Sequence, residues 1–293
     1  MRAVVTGATS GIGEAIATKL AEWGTVVLVG RDDVRLDEAA RRIDQAAPGA
    51  DLILEKADLA LTKDVRELAE RLPPPDVVVS NAAVITDLDD RTAEGRQTLL
   101  AVNHLSPYLL LRLLAERIGD PMAPPEEGTG GAIDRPARFV IVGADPVALA
   151  GVPVDLDDLE SQRLQLDDPD LRPFAAYGRT KNMNAMVGYE LARRLTGITV
   201  NTAHPGIIRD TGLGRNARGA LKRLGEQLSR TASGPEVGAD TPVWLATSSE
   251  VDGLTGGFYV NRELVSTADH TTDPARCARL WRESAQLVGI SDR

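Results

Sequence analysis

Tyr177 and Lys181 stand four residues apart in YGRTKNMNAMVGYELARRL, whose apolar spacing predicts a helix, so both side chains leave from one face. A phenol has a pKa near 10 in water and is a poor general acid or base near neutrality. An ammonium beside it would favour the phenolate and bring the proton into play. At the start of the chain, AVVTGATSGIGEA sets Gly7, Gly11 and Gly13 between an apolar run and a helical stretch opening at Ile12, with Ser10 in the turn. Glycines there let the backbone approach a pyrophosphate, and the open N–H groups and dipole of the helix attract its charge. Each feature also has a plain structural explanation, an i,i+4 surface pair and a tight turn. Together they suggest proton exchange beside a bound dinucleotide.

The elements that must position these residues follow from the apolar pattern. Runs at Ala3 to Thr6, Thr25 to Val29, Leu52 to Leu54, Val77 to Val79, Phe139 to Val142, Ile198 to Thr202 and Phe258 to Val260 are continuously apolar, as in strands covered on both faces. Helical stretches alternate with them: Ile12 to Trp23 ends at Gly24, and Val34 to Ala47 is stopped by Pro48. The expectation is one α/β domain of 293 residues with a doubly wound parallel (Rossmann) sheet, binding ligands at the carboxyl ends of the strands. Two stretches break the rhythm, a Pro/Gly-rich surface loop at 119–137 and a segment at 207–240 with helices but no strand. At the end of the second strand an acid would hold a ribose 2′-OH and an arginine a 2′-phosphate; Gly30 followed by Arg31 favours NADP(H), with Arg35 in support and Asp32 and Asp33 against.

Composition limits the partners. A formal net charge of −10 would repel a phosphate backbone, which argues against nucleic acid. No apolar run approaches the roughly 20 residues of a membrane span, and the chain enters a strand without a leader, so a cytoplasmic protein is expected. Cys277 is the single cysteine, which excludes a disulfide framework and a thiolate metal site. It reads as a small buried residue, and no metal is expected.

Five ordered motifs carry a resemblance: TGxxxGIG at Gly7, Gly11 and Gly13, Asp58 and Leu59, SNAA at 80–83, YxxxK at Tyr177 and Lys181, and HPG at 204–206. The chain resembles the short-chain dehydrogenase/reductases nearly end to end. VNHLSPYLLL and RLWRESAQLVGI are similar to the retinol-dehydrogenase and WW-domain-oxidoreductase-like branch. The resemblance implies that Asp58 and Leu59 hold the adenine, that Asn81 and Ala82 lie beside its ribose, and that Pro205, Gly206 and Ile208 line the nicotinamide. It implies that Lys181 anchors the nicotinamide ribose and that Asn103 holds a water in a proton relay. The family's carboxamide-binding threonine falls on Asp210, with Thr211 one further on. His104 reads as packed or exposed, and His204 as a loop residue bonded to backbone.

The family's serine, which donates to the substrate oxygen, falls on Ala144 after Gly143 in RFVIVGADPV. Losing one such donor costs on the order of 10²- to 10³-fold in rate, a handicap short of abolition. Tyr177 alone, a substrate hydroxyl or ordered water, or a protonated Asp145 could replace it, or hydride transfer could have become inefficient. Val147, Leu149 and Val152 are candidate pocket walls. The segment after Pro205 is a candidate lid hinged at Gly212, Gly214 and Gly219, with Leu213, Leu221 and Leu224 to cap an apolar ligand. Its cations Arg209, Arg215, Arg218, Lys222, Arg223 and Arg230 outnumber Asp210 and Glu226, as a solvated helix face or a site for an anionic partner.

These residues lead to an NADP(H)-dependent oxidoreductase, moving hydride to or from a carbonyl/alcohol pair on a sizeable apolar or polycyclic small molecule. The rival is an NADP(H)-holding protein doing cyclisation, isomerisation or dehydration, or acting as a redox-responsive binding module. Helices expected at 92–117 and 177–195 resemble those that pair subunits in the family, which suggests a homodimer.

Overall fold

The computed structural model describes residues 1–119, 136–209, 211–214 and 217–292. The first half runs β1 (Arg2–Thr6), α1 (Gly11–Leu20), β2 (Thr25–Gly30), α2 (Asp33–Ala46), β3 (Leu52–Lys56), α3 (Thr62–Arg71) and β4 (Val77–Ser80). The second continues with α4 (Thr98–Leu100), a π turn at Ala101–Leu105, α5 (Ser106–Ile118), β5 (Ala137–Val142), α6 (Pro146–Ala150), α7 (Arg172–Arg194), β6 (Ile198–His204) and α8 (Gly219–Ser229). After these come α9 (Pro235–Gly238), α10 (Asp240–Thr247), β7 (Phe258–Val260), β8 (Glu263–Leu264), α11 (Asp269–Thr272) and α12 (Pro274–Val288).

The strands form one sheet in the order β3-β2-β1-β4-β5-β6-β7-β8. All pairs are parallel except β7 with β8, a short antiparallel addition that the apolar pattern did not reveal because Glu263 and Leu264 are exposed. The order reverses between β1 and β4, so their carboxyl ends splay apart into a crevice. Alternation along the buried strands sends Val4, Phe139, Ile141 and Val200 to a core shared with α3, α5, α7 and α12. Val5, Val140, Val142 and Ala203 go to the opposite core, against α1, α2 and α10. The expectation that every strand is covered on both faces fails at β3, an edge strand whose Ile53 and Leu54 are exposed.

Local chemistry sets the helix boundaries. Asp32 accepts from the Arg35 N–H at 2.9 Å and starts α2, while Gly24, at φ +138°, passes so close to Met1 that a Cβ would lie 2.3 Å from its carbonyl oxygen. The helix expected from 92 begins at Thr98 and passes through the π turn before α5. The stretch Thr98–Ile118 is long and apolar enough to cross a membrane, contrary to the expectation that no segment is, but its most apolar part is largely buried within the fold. The surface loop expected at 119–137 lies largely at 120–135, outside the described residues.

The chain's own α12 packs against α7 and α5, the helices suggested for subunit pairing. Trp281 is 1% exposed, its carbonyl accepts from the Tyr108 hydroxyl at 3.0 Å, and the Arg112 guanidinium stacks 4.3 Å from its ring centroid. Ser284 meets His104 Nε2 at 2.7 Å, and Cys277 is buried with its thiol directed at the Thr271 carbonyl. His104 is thus a packed core residue, held neutral by burial with its pKa pushed down to about 4.

Candidate active site

A cavity of about 390 Å³ opens at the carboxyl ends of β1, β2, β4, β5 and β6. One end is built by the glycine turn. Gly7 has φ +67°, and an added Cβ would lie 2.9 Å from Ala82 Cα; at Gly13 it would lie 2.3 Å from the Gly7 carbonyl oxygen and 2.5 Å from Asn81 Nδ2. The turn and α1 are packed as closely as bare backbone permits, which is why glycine is required at both positions. Asn81 ties the turn to β4, donating from Nδ2 to the Thr6 carbonyl at 3.0 Å while its N–H reaches Thr6 Oγ1 at 3.0 Å. Gly7, Ser10, Ile12, Gly13, Arg31, Asp58, Leu59, Asn81 and Ala82 all line the cavity. Gly11 does not; it opens α1 at φ +60°. Arg31 is exposed at the rim, and Arg35, also on the wall, donates to Ser10 Oγ at 3.4 Å. The two acids beside them are engaged elsewhere: Asp32 caps α2, and Asp33 pairs with Lys56 at 2.5 Å.

At the other end Tyr177, Lys181, Gly143, Ala144, His204, Pro205, Gly206, Ile208 and Thr211 meet. Lys181 is 3% exposed, and its Nζ donates to the Val142 carbonyl at 2.8 Å, which fixes it at the end of β5. Burial lowers its pKa to about 8, so it stays largely protonated at neutrality. Its Nζ lies 5.6 Å from the centroid of the Tyr177 ring. The expectation that the ammonium depresses the phenol requires correction for the protein by itself, because burial pushes Tyr177 up from 10.0. Desolvation of the phenolate outweighs the lysine charge across that distance.

Asn103 sits off the cavity in the π turn, fully buried. Its Oδ1 accepts from the Val84 N–H at 2.8 Å, and its Nδ2 donates to the Val84 carbonyl at 2.9 Å and to Thr180 Oγ1 at 3.2 Å. The side chain thus links the loop after β4 to α7, with both amide protons and one lone pair of Oδ1 engaged. Asn184 Nδ2 donates to the Asn103 carbonyl at 2.8 Å. Thr180 and Asn184 escaped the sequence reading because their partners are remote in the chain; their only signal was their place one residue before and three after Lys181.

Other expectations are corrected here. Asp145 accepts from the Val147 N–H at 2.9 Å as the cap of α6 and is not among the residues that line the cavity. Val147 is 82% exposed, and Leu149 and Val152 pack against α7 at Gly178 rather than on the cavity. Of the proposed capping leucines only Leu213 lines it; Leu221 and Leu224 lie on α8. Asp210 and Arg215 lie outside the described residues, and the described cations of 207–230 are off the wall, with Lys222 paired to Glu226 at 3.9 Å. His204 is no loop residue bonded to backbone. It closes β6, lines the cavity, and has a buried Nδ1 without a partner. No group of metal-ligating side chains occurs among the described residues.

Residues 1–133 match the family model described as short chain dehydrogenase. A Streptomyces sp. (strain C5) protein that carries the name daunorubicin C-13 ketoreductase is 36% identical over 296 residues, covering 99% of this chain and 93% of its own. The chain belongs to the short-chain dehydrogenase family. Human (Homo sapiens) retinol dehydrogenase 14 is 32% identical over 312 residues, covering 98% of this chain and 86% of its own, which places the chain close to the retinol dehydrogenase branch. The crystal structure of an uncharacterized protein from Mycobacterium paratuberculosis shares the fold with a TM-score of 0.74 at 24% identity, over 100% of this chain and 94% of that one. The family binds nicotinamide cofactors and acts on small molecules by hydride transfer, so this chain is an oxidoreductase of that family.

Proposed function

We propose that the protein is an NADP(H)-dependent reductase of a carbonyl group on a sizeable apolar or polycyclic small molecule. The observation that carries this is one cavity running from the Gly7/Gly13 turn with Arg31 to Tyr177 and Lys181. Its glycine cradle at the start of α1 suits the pyrophosphate of a dinucleotide. Arg31, Arg35 and Ser10 would meet a 2′-phosphate, while Asp32 turns its carboxylate to the start of α2 and Asp33 pairs with Lys56, which offsets part of the charge that would oppose it. Asp58 and Leu59 would border the adenine, Asn81 and Ala82 its ribose, and Pro205, Gly206, Ile208 and Thr211 the nicotinamide.

When bound, the nicotinamide supplies a hydride to the carbonyl carbon, or accepts one from the alcohol carbon in reverse. Tyr177 passes its proton to the carbonyl oxygen as charge develops there. Burial keeps the phenol protonated, the form reduction needs. Lys181, anchored on Val142, places a positive charge beside the ring and would hold the nicotinamide ribose. Asn103 and Thr180 are positioning residues that fix the loop after β4 against α7. Val84, Ile85, Val102 and Leu213 offer apolar wall to the substrate. The names of the ketoreductase and retinol dehydrogenase relatives agree with a carbonyl/alcohol pair on a bulky apolar molecule.

The test is NADPH oxidation by purified protein with aryl ketones, bicyclic ketones and polycyclic quinones. Turnover at least tenfold above Tyr177→Phe is expected. No oxidation above that variant refutes the reading, and product formed without net loss of NADPH absorbance would favour cyclisation, isomerisation or dehydration instead.

A further inference from the structure

We infer that His204 supplies the hydrogen bond to the reacting carbonyl oxygen that Ala144 cannot give, from an Nε2–H directed into the cavity. The inference deepens the reductase reading and rests on it. β5 and β6 pair in parallel with Ile141 opposite Thr202 and Val142 opposite Ala203, so Gly143 and His204 are the next residues of the two strands. Val142 and Ala203 belong to the core against α1 and α10. Alternation therefore turns Gly143 and His204 to the other face, the one α7 covers and from which Tyr177 and Lys181 project. His204 lies close enough to feel the charges of both Lys181 and Asp145.

Beside Tyr177, the neighbouring groups leave room for a second donor: the Gly143 N–H donates to the Ala203 carbonyl at 2.8 Å, Lys181 is drawn back to the Val142 carbonyl at 2.8 Å, and Ala144 has no side-chain donor. On the His204 ring Nδ1 is buried with no partner. Burial favours the neutral ring, which carries a single proton. Placing that proton on Nδ1 would bury an unpaired donor, whereas placing it on Nε2 leaves only an unpaired acceptor inside. The surroundings thus select the tautomer whose N–H can meet a ligand. His204 need transfer no proton: the hydride goes to the carbonyl carbon, the Tyr177 proton goes to the oxygen, and the imidazole N–H shares the charge on that oxygen during the step.

The experiment uses whichever ketone or quinone of the panel turns over fastest, with NADPH affinity measured separately by fluorescence titration. His204→Phe should lower kcat on the order of 10²-fold, with KM and NADPH affinity within about threefold of wild type. Ala144→Ser should raise wild-type kcat less than about threefold, because the donor position is served, yet recover at least about tenfold in the His204→Phe background. His204→Gln, which keeps an N–H, should fall between His204→Phe and wild type. A kcat for His204→Phe within threefold of wild type would overturn the assignment, as would equal gains from Ala144→Ser in both backgrounds. If His204→Phe fails to fold, the wild-type background decides: a gain from Ala144→Ser near 10²-fold means that the donor position is vacant, and a gain under threefold supports His204. Loss of the reductase reading is recognised separately, as wild-type protein that binds NADPH but oxidises it with no member of the panel.

Discussion

Lys181→Met isolates the cost of keeping an ammonium inside the fold. Burial lowers the lysine from 10.5 in the unfolded chain to about 8 in the folded protein. Below pH 8 both states are protonated and the folded one bears the full desolvation penalty; above pH 10.5 both are neutral and the penalty is gone. Between these values the unfolded chain holds more protons, so wild-type stability rises with pH. Converted at about 1.36 kcal/mol per pH unit, the gap amounts to about 3 kcal/mol. The methionine variant has no such proton. It also loses the bond to the Val142 carbonyl, a cost that is nearly the same at every pH. The stability difference between variant and wild type should therefore move by about 3 kcal/mol in favour of wild type from pH 7 to pH 10.5. Urea unfolding of both proteins across that range, without cofactor, reads it directly, because all other titrating groups are common to the pair. Two parallel stability curves would refute the claim that Lys181 carries a buried charge.

Gly13→Ala should weaken NADPH binding at least about tenfold, since its Cβ would lie 2.3 Å from the Gly7 carbonyl oxygen and must displace the turn or α1; fluorescence titration checks it. Arg31→Asp should lower the NADPH-over-NADH ratio of kcat/KM by about 10- to 100-fold, the range set by hydrogen bonds to a charged group, and an unchanged ratio would count against the 2′-phosphate contact. Light scattering should give the mass of a single chain, because α12 packs against α5 and α7, the helices suggested for subunit pairing; a dimer would count against this reading. Trp281→Ala should cost about 3 to 5 kcal/mol in urea unfolding by opening a cavity under that helix.

The strand runs, the glycine turn and the i,i+4 spacing of Tyr177 and Lys181 were legible in sequence because each is a local property. Apolar periodicity fixes which element forms, and glycine is needed wherever backbone meets backbone. From these the doubly wound sheet and the position of the site at the strand ends follow, with strand boundaries displaced by at most two residues. Ala144, two residues past the end of β5, was equally plain as a residue whose side chain carries no donor.

Tertiary structure alone decided how the remaining polar groups are committed. Asn103 reads as a helix asparagine, but the π turn aims it at Val84 and Thr180. Asp145 reads in sequence as one candidate replacement donor, but only the fold shows that the start of α6 takes it as a cap. A phenol beside a lysine reads as acidic, but desolvation depends on everything packed around it and reverses the direction in the protein by itself. His204 gains its place at the cavity from the register of β6 against β5, and α12 folds back over helices that would otherwise be open. Hydrogen-bond partners far apart in the chain, and the water they exclude, leave no periodic trace in a sequence.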